Sequence, residues 1–420
     1  MSPLRHTRRG RWRGQNTCDS LTAIRMHDIA IIGGGPGGLY AAYQLASAGY
    51  DVAVFEEHTA PGDPVHCTGV LAADAFDEFD LPRDAILNTI VTARFFGPSG
   101  GTVEYTTPTV EALVVDRRVF DARLHDQALA AGASVRTGIR VLDVHAGKDA
   151  VRLVCADGRT VVARACILAC GANYAMQKRL GLGMPRTYLQ SAQLELPAAA
   201  AGDVEVHFGS YVAPKGFAWA VPVYRDGEPF ARIGLMCERD PREYFQRFLE
   251  RVGPRWQTGT DGALDAGLTP RTKVLPLGPI EKTFTDRILA VGDAAGLVKA
   301  TTGGGIYYSI VSGNLAAAVL GNCLQTGDFS AAALESYETA WRAALGGELE
   351  AQMTLRKIAD DMSDGQIDAL FDLARTDGIM PIVRRTAAFN RHRTLIVSLL
   401  SHPPARRVLM RRVLGWGQSA

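Results

Sequence analysis

The chain has 420 residues, with 45 basic against 44 acidic side chains and a formal net charge of +1. At 47% hydrophobic and 21% charged residues, with 44 glycines and 20 prolines, it has the composition of a packed globular protein, which excludes collagen-like, mucin-like and wholly disordered chains. The balanced charge argues against a nucleic-acid binder, and no apolar run approaches the ~18 residues of a membrane-spanning helix. A soluble protein is expected, cytoplasmic or peripheral at the inner face of a membrane.

Residues 1–26 hold six arginines and one acid, Asp19, without an apolar period, and read as a disordered Arg-rich extension. Met26 is then an alternative initiator, directly ahead of the first strand. Asp28 to Ile32 is β-branched, Gly33, Gly35 and Gly38 form a GxGxxG turn, Leu39 to Ala48 favours helix, and Val52 to Phe55 is a second strand ending in Glu56. Each part has a physical task. The first glycine makes the turn, the second admits a pyrophosphate to the backbone, and the third lets helix and strand pack. The helix N-terminus attracts the anion, with Gly37 in its first turn, and Glu56 accepts ribose hydroxyls. An acid at that place disfavours a 2′-phosphate, so FAD or NAD is expected, not NADP, as the resident dinucleotide.

A hairpin is expected around Ala93 to Val103, and strands at Val204 to Phe208, Phe217 to Tyr224 and Phe230 to Met236, forming a second sheet over the cofactor. Phe217, Trp219 and Pro222 are candidate walls of an apolar substrate channel. Downstream, Arg287 to Ala290 is a strand that turns on Gly292-Asp293, and Gly303-Gly304-Gly305-Ile306 opens a helix running to Leu324. Asp293 can bond ribityl hydroxyls, and the triple glycine presents N–H groups to a flavin edge. Together with the first motif, this selects FAD. The seven cysteines make no CxxC pair, so reduced thiols and no metal site are expected. From Pro381 to Ala420 there are eight arginines and no acid, interleaved with apolar residues and Trp416. This is either an anionic-membrane-seeking face or a helical cap docked on the core.

Around these motifs, over about residues 27–335, the chain resembles the geranylgeranyl reductase family, within the FAD-dependent group that includes p-hydroxybenzoate hydroxylase. Arg117-Arg118-Val119-Phe120-Asp121 matches the group's R-x-x-F-D signature, which implies FAD contact for Arg117. Pro64 to Gly69 looks like the family's cysteine loop beside the flavin, which puts Cys67 at the cofactor. Pro214 to Pro222 follows the P-x-x-Y-x-W-x-F-P substrate motif, with Phe for Tyr and Val for Phe. The resemblance further implies Val141 near the adenine and Gly305 and Ile306 at the flavin. It departs at Ala169-Cys170-Gly171-Ala172, where the usual triplet has an Asp.

The expected fold is α/β (α+β overall). A Rossmann-like FAD-binding domain, 27–185 with 265–335, carries an inserted antiparallel substrate domain, 186–264 with strands from 90–115, and a basic helical region, 336–420. The expected activity is transfer of hydride from reduced flavin to a double bond of an isoprenoid or lipid-like substrate. Cys67 is the candidate proton relay or redox thiol, and transient NAD(P)H or reduced ferredoxin is the electron donor. The alternative is an FAD-dependent monooxygenase on an apolar or aromatic substrate. A halogenase shares the segment around Trp219, but it relies on a lysine between the two nucleotide signatures, and none occurs before Lys148.

Overall fold

The computed structural model describes residues 25–199, 202–256, 258, 269–376 and 378–410. The expected N-terminal extension up to residue 24, and Arg411, Arg412 and Trp416 of the basic tail, lie outside the described residues.

The first sheet has eight strands, with the path Phe284–Thr285, Ile288–Ala290, Thr160–Leu168, Met26–Ile32, Val52–Phe55, Ser134–Arg136 and the hairpin Val141–Ala146/Val151–Cys155 attached through Thr160–Leu168. Its central strands pair in parallel, Ile29 to Ile32 running beside Val52 to Phe55 on one side and Ala165 to Leu168 on the other. Helices cover them, so these strands are continuously apolar rather than alternating. Helices Pro36–Ser47 and Ile306–Thr326 cross at Gly37 and Gly313, where a Cβ on Gly313 would overlap the Gly37 carbonyl. That close approach brings the two helix N-termini together.

The second sheet has seven strands in the order Arg271–Pro276, Tyr188–Pro197, Glu228–Cys237, Phe217–Arg225, Val204–His207, Thr92–Phe96, Thr102–Thr106. The boundary expected at 265 is therefore corrected: Arg271–Pro276 belongs to this sheet, paired along Tyr188–Gln193. Ala112–Val115, by contrast, joins a small third sheet with Val70–Ala72 and Ile86–Ile90. Edge pairing is decided by which partner lies opposite in space, and local sequence does not report that. One face of the second sheet is closed by helix Pro241–Trp256, whose Phe245, Phe248 and Leu249 pack on Ala218, Ala220 and Ile233.

The other face is roofed by the C-terminal helices Gly347–Asp360, Asp364–Arg375, Met380–Thr386, Arg393–Ser401 and Pro403–Leu409. Ile396, Ala405 and Leu409 are buried, whereas Arg384, Arg385, Arg391, Arg393, Arg406 and Arg407 are exposed. The apolar side of the tail thus docks inward and its arginines face water. Among the described residues no helix is long and apolar enough to cross a membrane.

Candidate active site

The first strand ends at Gly33, which holds φ +109° and where a Cβ would overlap the Ala169 carbonyl. Gly38 packs on the Gly33 carbonyl and Gly37 on Ser309 in the same intolerant way. Gly35 differs, because a Cβ there would meet nothing within 4 Å. It is the N-cap of helix Pro36–Ser47, with no side chain capping the helix. Gly305 stands in the same relation to helix Ile306–Thr326, again without a side-chain cap. Two uncapped helix N-termini therefore open onto one cavity, lined by Gly35, Gly37, Gly38, Gly305 and Ile306. Their free N–H groups suit a diphosphate at one and an electron-rich ring edge at the other.

Glu56 accepts the Gly34 N–H through Oε2 (2.6 Å) and the His58 N–H through Oε1 (2.9 Å), which pins the glycine turn. Ile139 N–H bonds the Glu56 carbonyl (2.8 Å), so the strand starting at buried Val141 begins beside that carboxylate. Gly33, Glu56 and Val141 shape the turn without lining the cavity. Asp293 does line it, 3.0 Å from Lys273 Nζ through Oδ2, and a Cβ on Gly305 would stand 2.7 Å from its Oδ1. The Asp293 carboxylate holds the Lys273 ammonium above its ordinary value. An open cradle at Gly35, two unfilled helix ends and a carboxylate between them fit FAD, which these residues would hold.

The cysteine loop closes this end of the cavity. Cys67 Sγ accepts the Gly69 N–H (3.3 Å) and faces the Arg117 guanidinium. Arg117 makes a two-bond pair with buried Asp121 (3.1 and 2.8 Å); burial opposes its charge, but Asp121 and Cys67 hold the guanidinium up. His66 is pushed down by burial, then by the charges of Lys273, Arg271 and Arg117, so its imidazole is neutral at pH 7. Buried Arg232 fixes the loop from the sheet side, donating to the Thr68 carbonyl (2.6 Å), the Val115 carbonyl (2.8 Å) and Glu195 (2.7 Å). Arg225 links Glu195 to Asp116, the N-cap of the Arg117 helix. Sequence reasoning missed Arg232, Lys273 and Glu195. The only available signal was a charged residue inside the apolar run Phe230 to Met236.

The cavity, of about 1000 Å³, continues from the glycine turn across the second sheet. Phe217 and Trp219 line it, with ring centroids 5.7 Å apart, and Phe208 bridges Phe217 to Phe371 of the roof (6.0 and 6.1 Å). The Trp219 indole lies over Gly234, where a Cβ would come within 2.6 Å of Cζ2. Pro222 is a correction. Side chains alternate along a strand, so Pro222 shares the face of Ala218 and Ala220, and it lines a separate cleft while Val221 faces the cavity. The roof contributes Ile367, Leu370, Met380, Val383, Leu395 and Leu399. It is tied to the glycine loop by buried Lys299, whose Nζ donates to the Phe389 carbonyl and Asn390 Oδ1 (both 2.8 Å) and is pushed down to about 7 by burial.

The family model described as pyridine nucleotide-disulphide oxidoreductase matches residues 27–192. A digeranylgeranylglycerophospholipid reductase of Methanocaldococcus jannaschii is 31% identical, the match covering 82% of this chain and 90% of the relative. In fold, the chain is similar to a geranylgeranyl bacteriochlorophyll reductase-like protein of Thermoplasma acidophilum (TM-score 0.78, 23% identity, 93% and 99% of the two chains). It is also similar in fold to the halogenase PltM in complex with FAD (TM-score 0.65, 15% identity, 92% and 86%).

Proposed function

The chain belongs to the geranylgeranyl reductase family of FAD-dependent oxidoreductases, and from that membership we propose that it saturates double bonds of an isoprenoid lipid. The observation that carries this reading is the single cavity joining the glycine turn to an apolar gallery under the C-terminal helices. A chain of isoprene units needs such a length of water-free wall, and a small polar substrate does not. Mass spectrometry of lipids and quinones from cells with and without the protein tests it. A gain of about two mass units per double bond is expected, and unchanged masses overturn the reading.

Bound FAD, once reduced, supplies the hydride taken up at one alkene carbon. The chain's residues do the rest. Gly35 and Gly305 direct their helix ends at the cofactor, and Asp293 accepts from its hydroxyls. Trp219, Phe217 and the roof hold the prenyl chain flat and keep water out. The second alkene carbon needs a proton, and Cys67 Sγ, fixed by the Gly69 N–H between Arg117 and Lys273, is placed to hold it. Cys67→Ala is expected to retain bound flavin and lose at least about a hundredfold in turnover, the ordinary size of a general-acid contribution. Unchanged turnover would remove Cys67 from the reaction.

Substrate is collected from an anionic membrane by the tail. Its inward faces line the cavity, while six arginines on the same helices face outward. Sedimentation with phosphatidylglycerol vesicles but not phosphatidylcholine vesicles is expected, and it should be lost on replacing Arg384, Arg385, Arg406 and Arg407 by Glu. Equal binding to both vesicle types would contradict this. Electrons come from NAD(P)H, docking transiently since no second glycine signature exists, or from reduced ferredoxin. Anaerobic bleaching of the flavin by one and not the other decides between them.

A further inference from the structure

One cluster on the cavity wall serves neither the flavin end nor the apolar gallery. Arg356, on helix Gly347–Asp360, lines the cavity and is only 8% exposed. Its Nε lies 2.9 Å from Asp360 Oδ1, one turn on, but Nη2 has no hydrogen-bond partner among the described residues. Lys215 lines the same wall, two residues before Phe217, and pairs with Glu238. Burial lowers the Arg356 pKa and lifts that of Asp360, the latter against the pull of Arg356 and Lys215.

A guanidinium stripped of water with an unpartnered N–H is costly unless a ligand completes it. Its fork matches two oxygens of a phosphate, and a second cation stands alongside. Asp360, readily protonated, need not repel an incoming anion and can donate to it. From this corner the wall runs along Phe217 and Trp219, an apolar path for a chain attached to the head.

We propose that Arg356, with Lys215 and Asp360, forms a subsite for the phosphate-ester head of a prenyl lipid, whose tail extends along the Phe217–Trp219 wall. The inference rests on the prenyl-lipid reading above and adds the chemical class of the head.

Equilibrium binding to the FAD-loaded protein tests it, with geranylgeranyl phosphate, geranylgeraniol and inorganic phosphate as probes. The prenyl phosphate should bind on the order of tenfold or more tighter than the alcohol, as expected for charge-assisted bonds. In Arg356→Gln that ratio should fall to about one with alcohol affinity and flavin content unchanged, and Arg356→Lys should retain part of it. Asp360→Asn, which removes the competing carboxylate and leaves Arg356 in place, should raise the ratio. That arm stands even if Arg356→Gln fails to fold. A ratio unmoved by either variant overturns the proposal. So does inorganic phosphate binding as tightly as the prenyl phosphate, which would mark a site for the free ion. Tight, Arg356-dependent binding without any double-bond reduction would instead defeat the prenyl-reductase reading and leave the head subsite standing.

Discussion

Gly35→Asp is expected to give a protein that folds as well as its parent and carries no flavin. At φ −80° and ψ 175° Gly35 sits in extended backbone that any residue adopts, and a Cβ there meets open space. Aspartate is moreover a better N-cap than glycine by a few tenths of a kcal/mol, because its carboxylate bonds the free N–H groups of the first turn. Those are the N–H groups a pyrophosphate would use, and the new charge would stand in its place. Loss of at least about 4 kcal/mol of cofactor binding is expected, from the lost charge-assisted bonds together with repulsion. The checks are flavin content after purification and thermal unfolding of the two apoproteins. Gly33→Ala is the contrasting case. There the positive φ and the Ala169 carbonyl make the damage structural, and flavin and stability should fall together. A coloured Gly35→Asp protein would place the dinucleotide somewhere other than this turn.

Arg232→Met is expected to be the most destabilising single change in the second sheet, by about 3 kcal/mol, because it leaves a partly buried carboxylate and two carbonyls without their donor. Arg225 still neutralises Glu195, which keeps the cost near the lower end of the range for a broken buried pair. The cysteine loop loses its anchor at Thr68, so turnover should fall while the distant Arg117–Asp121 pair persists. Denaturant unfolding measures the first effect, and a loss below about 1 kcal/mol would contradict it. The same network predicts acid sensitivity. Burial raises the carboxyls of Glu195 and Asp116, but hydrogen bonds from Arg225, and from Arg232 to Glu195, overcome it and hold both below their ordinary values. Folded pKa values below the unfolded ones mean stability that is complete above about pH 4 and is lost as pH falls through the lowered values. In Arg232→Met part of the Glu195 contribution is gone, so the acid slope should be shallower than in the parent.

How much could be read in advance follows from the range of the interactions concerned. The strand–glycine turn–helix–strand start, the acid at Glu56, the Gly-Asp segment and the triple glycine are local devices. Each residue does its work within a few positions of itself, through backbone conformation or a helix end, so spacing alone gave the dinucleotide site and its two converging parts. The strands of the second sheet were legible from alternation, but not the edge assignment of Arg271–Pro276. Pro222 was misplaced because a motif lists residues consecutively while a strand turns every second one away.

By itself, then, the sequence determined the Rossmann-like core, its cofactor class and the charge of the tail, because glycine conformation, β-branched runs and net charge are properties of short segments. Only the tertiary structure decided that Arg232, Lys273 and Arg356 reach the cavity, and that the basic tail is also its roof. Those facts depend on surfaces more than a hundred residues apart being pressed together, and burial, which turns an ordinary surface arginine into an anchor or a binding group, exists only once that packing is made.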